Sequence, residues 1–313
     1  MKKMSKIKVL LASPRGFCAG VKRAVDMVDL ALQNSRSPIY VRHEIVHNKR
    51  VVNDLKRKGA IFVKELEEVP IGEKVIFSAH GVSKKVKQDA KTYKQLSIDA
   101  TCPLVSKVHQ QIKHYDKKGY KILLIGHKGH PEVDGIEGQV NQKIIIIESE
   151  QQAKSIKINK TKKIAYVTQT TLSLDDTSEI IKILKEKFPN ILGPNLDDIC
   201  YATQNRQIAV SKLADLCDLV FVVGGENSSN TKRLAEIVKK KNISVHRISG
   251  KEDISIKWLE GINTLGITSG ASSPEILIKE ILDFLKSNYT EVEIENLKGI
   301  KESITFKPIT NFS

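Results

Sequence analysis

Apolar positions along this chain fall into two alternating patterns. One consists of short unbroken runs: PIYV, YKILLIG and DLVFVV, then AIFV (60–63), IIII (144–147) and SVHRI (244–248), then KVIF, KIAYV and TLGI. Runs such as KILLIG and VIFSA show no in–out alternation, as strands covered on both faces do. The other pattern is amphipathic and of helical length, as in AGVKRAVDMVDLAL, PLVSKVHQQIKHY and YATQNRQIAVSKLADLC. Strands alternating with helices of ten or more residues predict an α/β fold with mainly parallel sheets.

The alternation repeats three times. Cys18, Cys102 and Cys200 each stand immediately before one of those helical stretches, and each is followed by a strand and a polar loop. From Cys18 to His47 is 29 residues, from Cys102 to His130 is 28, and from Cys200 to Ser228 is 28. A second loop follows the third apolar run of each copy and carries His80, Thr170 and Ser272, at 33, 40 and 44 residues beyond the first. In the first two copies a fourth strand-like segment, SIDATC or NLDDIC, leads into the next cysteine. The third copy lacks one, and KVLLASPRGFC at the N-terminus has that form. The expected organisation is three similar α/β units in a pseudo-threefold trefoil around a central iron–sulfur site. They span 19–101, 102–199 and 200–287, with 1–18 completing the third and 288–313 a C-terminal tail.

Composition fits a folded chain of this kind. At 313 residues and 40% hydrophobic content there is material for two or three cores. No apolar run approaches the roughly 20 residues that span a bilayer, and the basic-then-apolar start leads straight into the first cysteine motif. A cytoplasmic protein is therefore expected. Four cysteines without dense spacing fit a reducing compartment. The net charge of +15 reflects dispersed lysines, as in KSIKINKTKK (154–163), and reads first as a solvated surface that steers anions. With aromatics at 5% and no basic recognition module, nucleic acid is not an expected partner. An acidic electron donor, ferredoxin or flavodoxin, suits the charge better.

Three soft ligands at one repeat position, each beside a helix N-terminus that favours thiolate, suggest a shared metal centre. Three thiolates and a vacancy describe an iron–sulfur cluster with one open iron. Zinc competes, although zinc sites generally draw on paired CxxC ligands, which are missing here. Cys217 ends the apolar face of KLADLC and reads as a small hydrophobe. His47, His80 and His130 lie at strand ends before helices. Singly each could be a cap or a packing residue; together with Ser228, Ser229, Asn230, Ser272 and Thr170 they form a donor-rich set suited to phosphate oxygens. Without a Walker or GxGxxG pattern, a small diphosphate is a better guess than a nucleotide. Glu132, two residues after His130, is the loop carboxylate nominated as proton donor, with Thr170 as relay or hydroxyl partner.

The segments PRGFCAGV, RHEIVHN, FSAHGVS, DATCPLV, GHKGHPEV, TQTTLS, DDICYATQNRQ, NSSNTKRL and GASSPE closely resemble the LytB/IspH family of 4-hydroxy-3-methylbut-2-enyl diphosphate reductases, in order from about residue 8 to 285. The resemblance implies a trefoil of three α/β units and the last step of the methylerythritol phosphate route. There the allylic hydroxyl is removed reductively to give isopentenyl and dimethylallyl diphosphate. It implies a [4Fe–4S] cluster on Cys18, Cys102 and Cys200, and a diphosphate held by His47, His80, His130, Ser228, Ser229, Asn230 and Ser272. Glu132 would be the proton source, with His130 and Thr170 beside the reacting group. Two rival classes stay open on residues alone. They are an aconitase-like hydro-lyase, which consumes no electrons, and an iron–sulfur sensor or RNA-binding protein, which the charge alone would favour.

Overall fold

The unalternating runs form strands because helices cover both of their faces. The computed structural model describes residues 4–159, 163–194 and 198–309. In chain order, β1 (Met4–Leu11) precedes α1 (Ala19–Asn34), β2 (Ile39–Arg42), α2 (Lys49–Arg57), β3 (Ala60–Val63), β4 (Lys74–Phe77), α3 (Lys84–Thr92) and β5 (Leu96–Asp99). Then come α4 (Pro103–Lys117), β6 (Lys121–Ile125), α5 (Pro131–Glu137), β7 (Ile145–Ile147), α6 (Glu150–Ser155), β8 (Ile164–Thr168) and α7 (Leu174–Lys187). The remainder is α8 (Tyr201–Ala214), β9 (Leu219–Val223), α9 (Ser229–Lys240), β10 (Ser244–Ile248), β11 (Thr264–Ser269), α10 (Glu275–Asn288) and β12 (Tyr289–Asn296).

These strands form three sheets, ordered β3-β2-β4-β5, β7-β6-β8 and β10-β9-β11-β1-β12. Every described strand pair is parallel. The expected α/β class with mainly parallel sheets is therefore what forms. The strand order repeats as well: within each sheet the first strand after the cysteine helix is flanked by the second and the third. β1 takes the place beside β11 that β5 takes beside β4, with Lys8 opposite Thr264 and Leu11 opposite Ile267. In the middle sheet Leu192 bridges to Ala165 of β8 at the equivalent edge. The strand expected over 195–200 falls partly outside the described residues, as does part of the lysine-rich stretch 154–163.

The chain divides into two compact units. One comprises Met1–Ala19, His47–Val51 and Tyr201–Ile304, and the other Gly20–Val46, Val52–Cys200 and Thr305–Ser313. In the first, Val9, Leu11 and Phe221 face Leu277, Ile281 and Leu285 of α10. The opposite face presents Leu10, Val220 and Val222 to Val210 and Leu213 of α8 and Leu234 of α9. In the second, Leu123 and Ile125 pack with Ile180 and Leu184 of α7. Their neighbours Ile122 and Leu124 pack with Val108 and Ile112 of α4 and Ile136 of α5. Each fully buried aliphatic of this kind contributes about 1.5–3 kcal/mol, so both strand faces must be apolar and alternation is lost.

β12 is the element that the hydrophobic pattern does not announce. Its sequence TEVEIEN alternates charge with apolar residues, and Glu291, Glu293 and Glu295 pair with Lys6 and Lys8 at 2.9–3.2 Å. These exposed pairs are screened by water and add little to stability. Their larger effect is to leave a charged outer strand that resists pairing with another chain.

Within the second unit, the start of α3 packs against the end of α5. Ser83 caps α3 by accepting from the Val86 amide at 3.2 Å, and the Lys84 amide donates to Gly138 O at 2.9 Å. A Cβ on Gly138 would overlap the Ser83 Cβ and Cα. Gly138→Ala is expected to destabilise the protein by about 1–3 kcal/mol, read from its urea midpoint; an unchanged midpoint would show that this contact can relax freely.

Candidate active site

The candidate residues lie where open α/β sheets present ligands, beyond the carboxyl ends of the strands. In the second unit, His80 follows β4, and Ser78 Oγ approaches its Nδ1 at 3.3 Å. Gly81 then adopts a φ of +82°, which a side chain would resist. A Cβ there would also stand 2.7 Å from His109 Cε1 and 3.2 Å from Thr101 Cγ2, so the loop packs directly onto α4. His130 caps α5, with Pro131 preset for the first turn, and its Nδ1 accepts from the Glu132 amide at 3.1 Å. That bond fixes the neutral tautomer with the proton on Nε2, leaving Nε2–H as the donor. The His80 and His130 rings stand edge to face with centroids 5.9 Å apart.

Glu132 is 2% exposed. Its Oε1 accepts from the Thr170 amide at 2.6 Å and its Oε2 from Thr170 Oγ1 at 3.0 Å. Loss of hydration raises its pKa to about 7, against the lowering effect of both Thr170 bonds, and Asp198 adds a smaller upward push. Thr170 and Glu132 are thus one hydrogen-bonded pair with the carboxyl poised between its two forms at neutral pH. Asp198, two residues before Cys200, has no local sequence signal that marks it as part of the site. It is buried, and its Oδ2 accepts from the Thr168 amide at 3.2 Å.

In the first unit, Ser228 caps α9 by accepting from the Thr231 amide at 3.3 Å. Asn230 Oδ1 accepts from the Ala271 amide at 3.0 Å, and Ser272 Oγ donates to His47 O at 3.1 Å. Ser228, Asn230 and Ser272 are buried, whereas His47 and Ser229 are half-buried. Two glycines make this approach possible. A Cβ on Gly225 would stand 2.6 Å from His47 O, and one on Gly270 would overlap Thr231 Oγ1. Hence the loops after β9 and β11 and the segment starting at His47 interlock, and they bring four of the expected diphosphate donors together: His47, Ser228, Asn230 and Ser272.

The cysteines share one geometry. Cys102 N donates to Ala79 O at 3.0 Å, Cys200 N to Thr170 O at 3.1 Å, and Cys18 N to Ala271 O at 3.1 Å. In each repeat the cysteine amide is bonded to the loop that carries His80, Thr170 or Ser272. All three are half-buried thiols rather than disulfides, and α1, α4 and α8 begin at the next residue, where the helix N-terminus favours thiolate. Cys217 differs: burial, with a smaller effect of Asp218, pushes its thiol up to about 12. The donor set fits an iron–sulfur cluster by its chemistry, three soft ligands at matching positions. Among the described residues no three His, Cys, Asp or Glu side chains gather closely enough for one metal ion.

The LytB protein family model matches residues 9–286. The chain is 50% identical over 308 residues to 4-hydroxy-3-methylbut-2-enyl diphosphate reductase of Nitrosomonas europaea, covering 96% of this chain and 95% of that one. It is 51% identical over 304 residues to the reductase of the same name from Actinobacillus pleuropneumoniae, covering 96% of each. Among solved structures it resembles E-1-hydroxy-2-methyl-but-2-enyl-4-diphosphate reductase from Plasmodium falciparum. The TM-score is 0.91 at 40% identity, over 98% of this chain and 97% of that one. A second structure, of (E)-4-hydroxy-3-methyl-but-2-enyl diphosphate reductase, matches with a TM-score of 0.65 at 33% identity, over 90% of this chain and 99% of that one.

The elevated pKa of Glu132 carries a stability signature. A carboxyl raised from 4.5 to about 7 holds its proton more tightly folded than unfolded. Native stability therefore falls as pH rises between those values, by about 3 kcal/mol in all. Glu132→Gln removes this slope. In urea titrations of the cluster-free protein, the wild type should lose stability relative to the variant from pH 4.5 to pH 7 and run parallel above that; parallel curves throughout would mean that Glu132 is ionised across the range.

Proposed function

The chain belongs to the LytB family, and from that premise we propose that it is a 4-hydroxy-3-methylbut-2-enyl diphosphate reductase. The allylic hydroxyl leaves as water on uptake of two electrons and two protons, giving isopentenyl and dimethylallyl diphosphate. The observation that carries this reading is the threefold repetition of the cysteine-amide bond to a site loop. It supports Cys18, Cys102 and Cys200 as ligands of one [4Fe–4S] cluster with an iron that no cysteine occupies.

When bound, the cluster supplies the electrons and a Lewis-acidic iron for a poor leaving group. The chain supplies binding and protons. His47, His80, His130, Ser228, Ser229, Asn230 and Ser272 offer N–H and O–H donors to the diphosphate, Ser272 by turning its hydroxyl away from His47 O. Anchoring that end, away from the reacting carbon, orients the hydroxyl. Glu132 in its protonated form donates from Oε2 to Thr170 Oγ1, which frees the threonine O–H to turn toward the substrate oxygen. The threonine is then the last donor of a two-residue relay. A carboxyl poised near neutrality matches both demands on it, to hold the proton and to release it.

The excess of 51 lysines and arginines over 36 aspartates and glutamates supports a small acidic electron donor, ferredoxin or flavodoxin. Cysteines held as thiols support a reducing, cytoplasmic setting. Among the described residues no helix is long and apolar enough to cross a membrane.

Anaerobic turnover with the allylic diphosphate and a chemical reductant tests the proposal. Electron consumption matched to water loss is expected, and dehydration without electron uptake would overturn it. Glu132→Gln should keep the cluster absorbance while turnover falls by about two or more orders of magnitude; undiminished turnover would remove Glu132 from the proton path. Cys217→Ser should retain the cluster, and loss of its absorbance would show that the ligand set is wrong.

A further inference from the structure

The largest fully buried side chain of the described residues is Arg206, on the helix that starts directly after Cys200. Every one of its five N–H donors is used. Nε and Nη2 donate to Gly16 O at 3.2 and 2.8 Å. Nη1 donates to Ala202 O at 3.0 Å and to Glu302 Oε1 at 2.9 Å, and Nη2 also reaches Glu302 Oε2 at 3.3 Å. Asn205 Nδ2 donates to the same carboxylate at 3.1 Å. Glu302 lies beyond β12, in the stretch that hydrophobic patterning leaves without a role.

A buried guanidinium is costly to desolvate, and the pairing with Glu302 does no more than offset that cost. What the arrangement adds is the fork on a single carbonyl, two residues before Cys18. Gly16 has a φ of +72°, and its amide donates to Ser269 Oγ at 2.8 Å. Its backbone is thus held at both ends, by Ser269 on the amide and by Arg206 on the carbonyl. The Cys18 amide is held in turn by Ala271 O, and Arg15 is tied by Nη2 to Glu275 Oε1 at 2.6 Å and by Nη1 to Asn296 Oδ1 at 3.1 Å. A loop so fixed presents its thiol in one orientation before any cluster arrives, which removes the ordering cost from assembly. Lysine, with one ammonium, cannot span Gly16 O, Ala202 O and both oxygens of Glu302.

We infer that Arg206 is a positioning residue for Cys18, acting through the Gly16 carbonyl, and that Glu302 holds its guanidinium in place. The inference rests on the reading that Cys18 is a cluster ligand. The C-terminal stretch thereby gains a function in the site: its carboxylate is the counter-charge without which the fork would not be retained.

The test measures thiol alkylation in the anaerobic, cluster-free protein, resolved for each cysteine by mass spectrometry. In Arg206→Met the Cys18 rate should rise at least about fivefold, the shift in loop opening that loss of one net hydrogen bond brings. Cys102 and Cys217 should keep their wild-type rates. Glu302→Gln should move Cys18 in the same direction by a smaller factor, and it serves alone if the arginine variant does not fold. An unchanged Cys18 rate overturns the inference. So does a parallel rise at Cys217, because general loosening would make Arg206 an ordinary structural ion pair. Cys18→Ser, reconstituted with iron and sulfide, separates the two layers. Retained cluster absorbance there refutes Cys18 as a ligand and the positioning role with it. A lost cluster combined with unchanged Cys18 alkylation in Arg206→Met refutes the positioning role alone.

Discussion

In each of the three repeats a cysteine amide donates to a carbonyl in the loop after the third strand of a parallel sheet, at 3.0 or 3.1 Å. The bond is short-range in space and long-range in sequence. It ties the start of the helix that follows the cysteine to the loop bearing His80, Thr170 or Ser272. Without it, a thiol at a helix N-terminus would lose the one tie that all three repeats share between its backbone and a site loop. With it, the thiol's backbone is also held by a loop two residues beyond a parallel strand, which makes it more rigid. The chemistry proposed for this chain depends on that rigidity, because three soft ligands must be presented with little reorganisation.

Polar satisfaction extends the same constraint outward. Thr170 offers its carbonyl to Cys200 and its amide and hydroxyl to Glu132. A candidate ligand and the candidate proton donor therefore share one residue. The carboxyl sits at the balance point between charged and neutral forms because burial disfavours charge while two bonds from threonine favour it. Removal of either influence would move the group out of the range in which it can both hold and release a proton near neutrality. In the other unit Asn230 and Ser272 lock Ala271 and His47 in the same manner, by side-chain bonds to backbone atoms of neighbouring loops.

Much of this was legible in the sequence, for identifiable reasons. The strands were readable because double-sided burial forces runs such as ILLI and LVFVV to be apolar throughout. The parallel sheets followed from helices between most of the runs, although only 3-10 turns join β3 to β4 and β10 to β11, and the repeat was visible because cysteine and histidine are rare enough for spacing to stand out. What stayed hidden depends on long-range pairing. β12 is half charged, and its strand character comes from lysines at the opposite end of the chain. Asp198 and Arg206 matter through burial, which no local pattern reports; each looks like one more charge beside a cysteine motif. Glu302 lies in a segment with no periodicity at all, and only a fully enclosed guanidinium gives it meaning.

The central claim, that three cysteines hold one cluster and leave one iron for the substrate oxygen, is tested most directly by anaerobic Mössbauer spectroscopy of protein reconstituted with isotopically enriched iron, with and without the hydroxylated diphosphate. The account predicts one cluster per chain, with one iron subsite of the four changing its isomer shift when the diphosphate is added and the other three unmoved. Four equivalent subsites indifferent to the diphosphate, or a protein that assembles no cluster while its three half-buried thiols are intact, would contradict it.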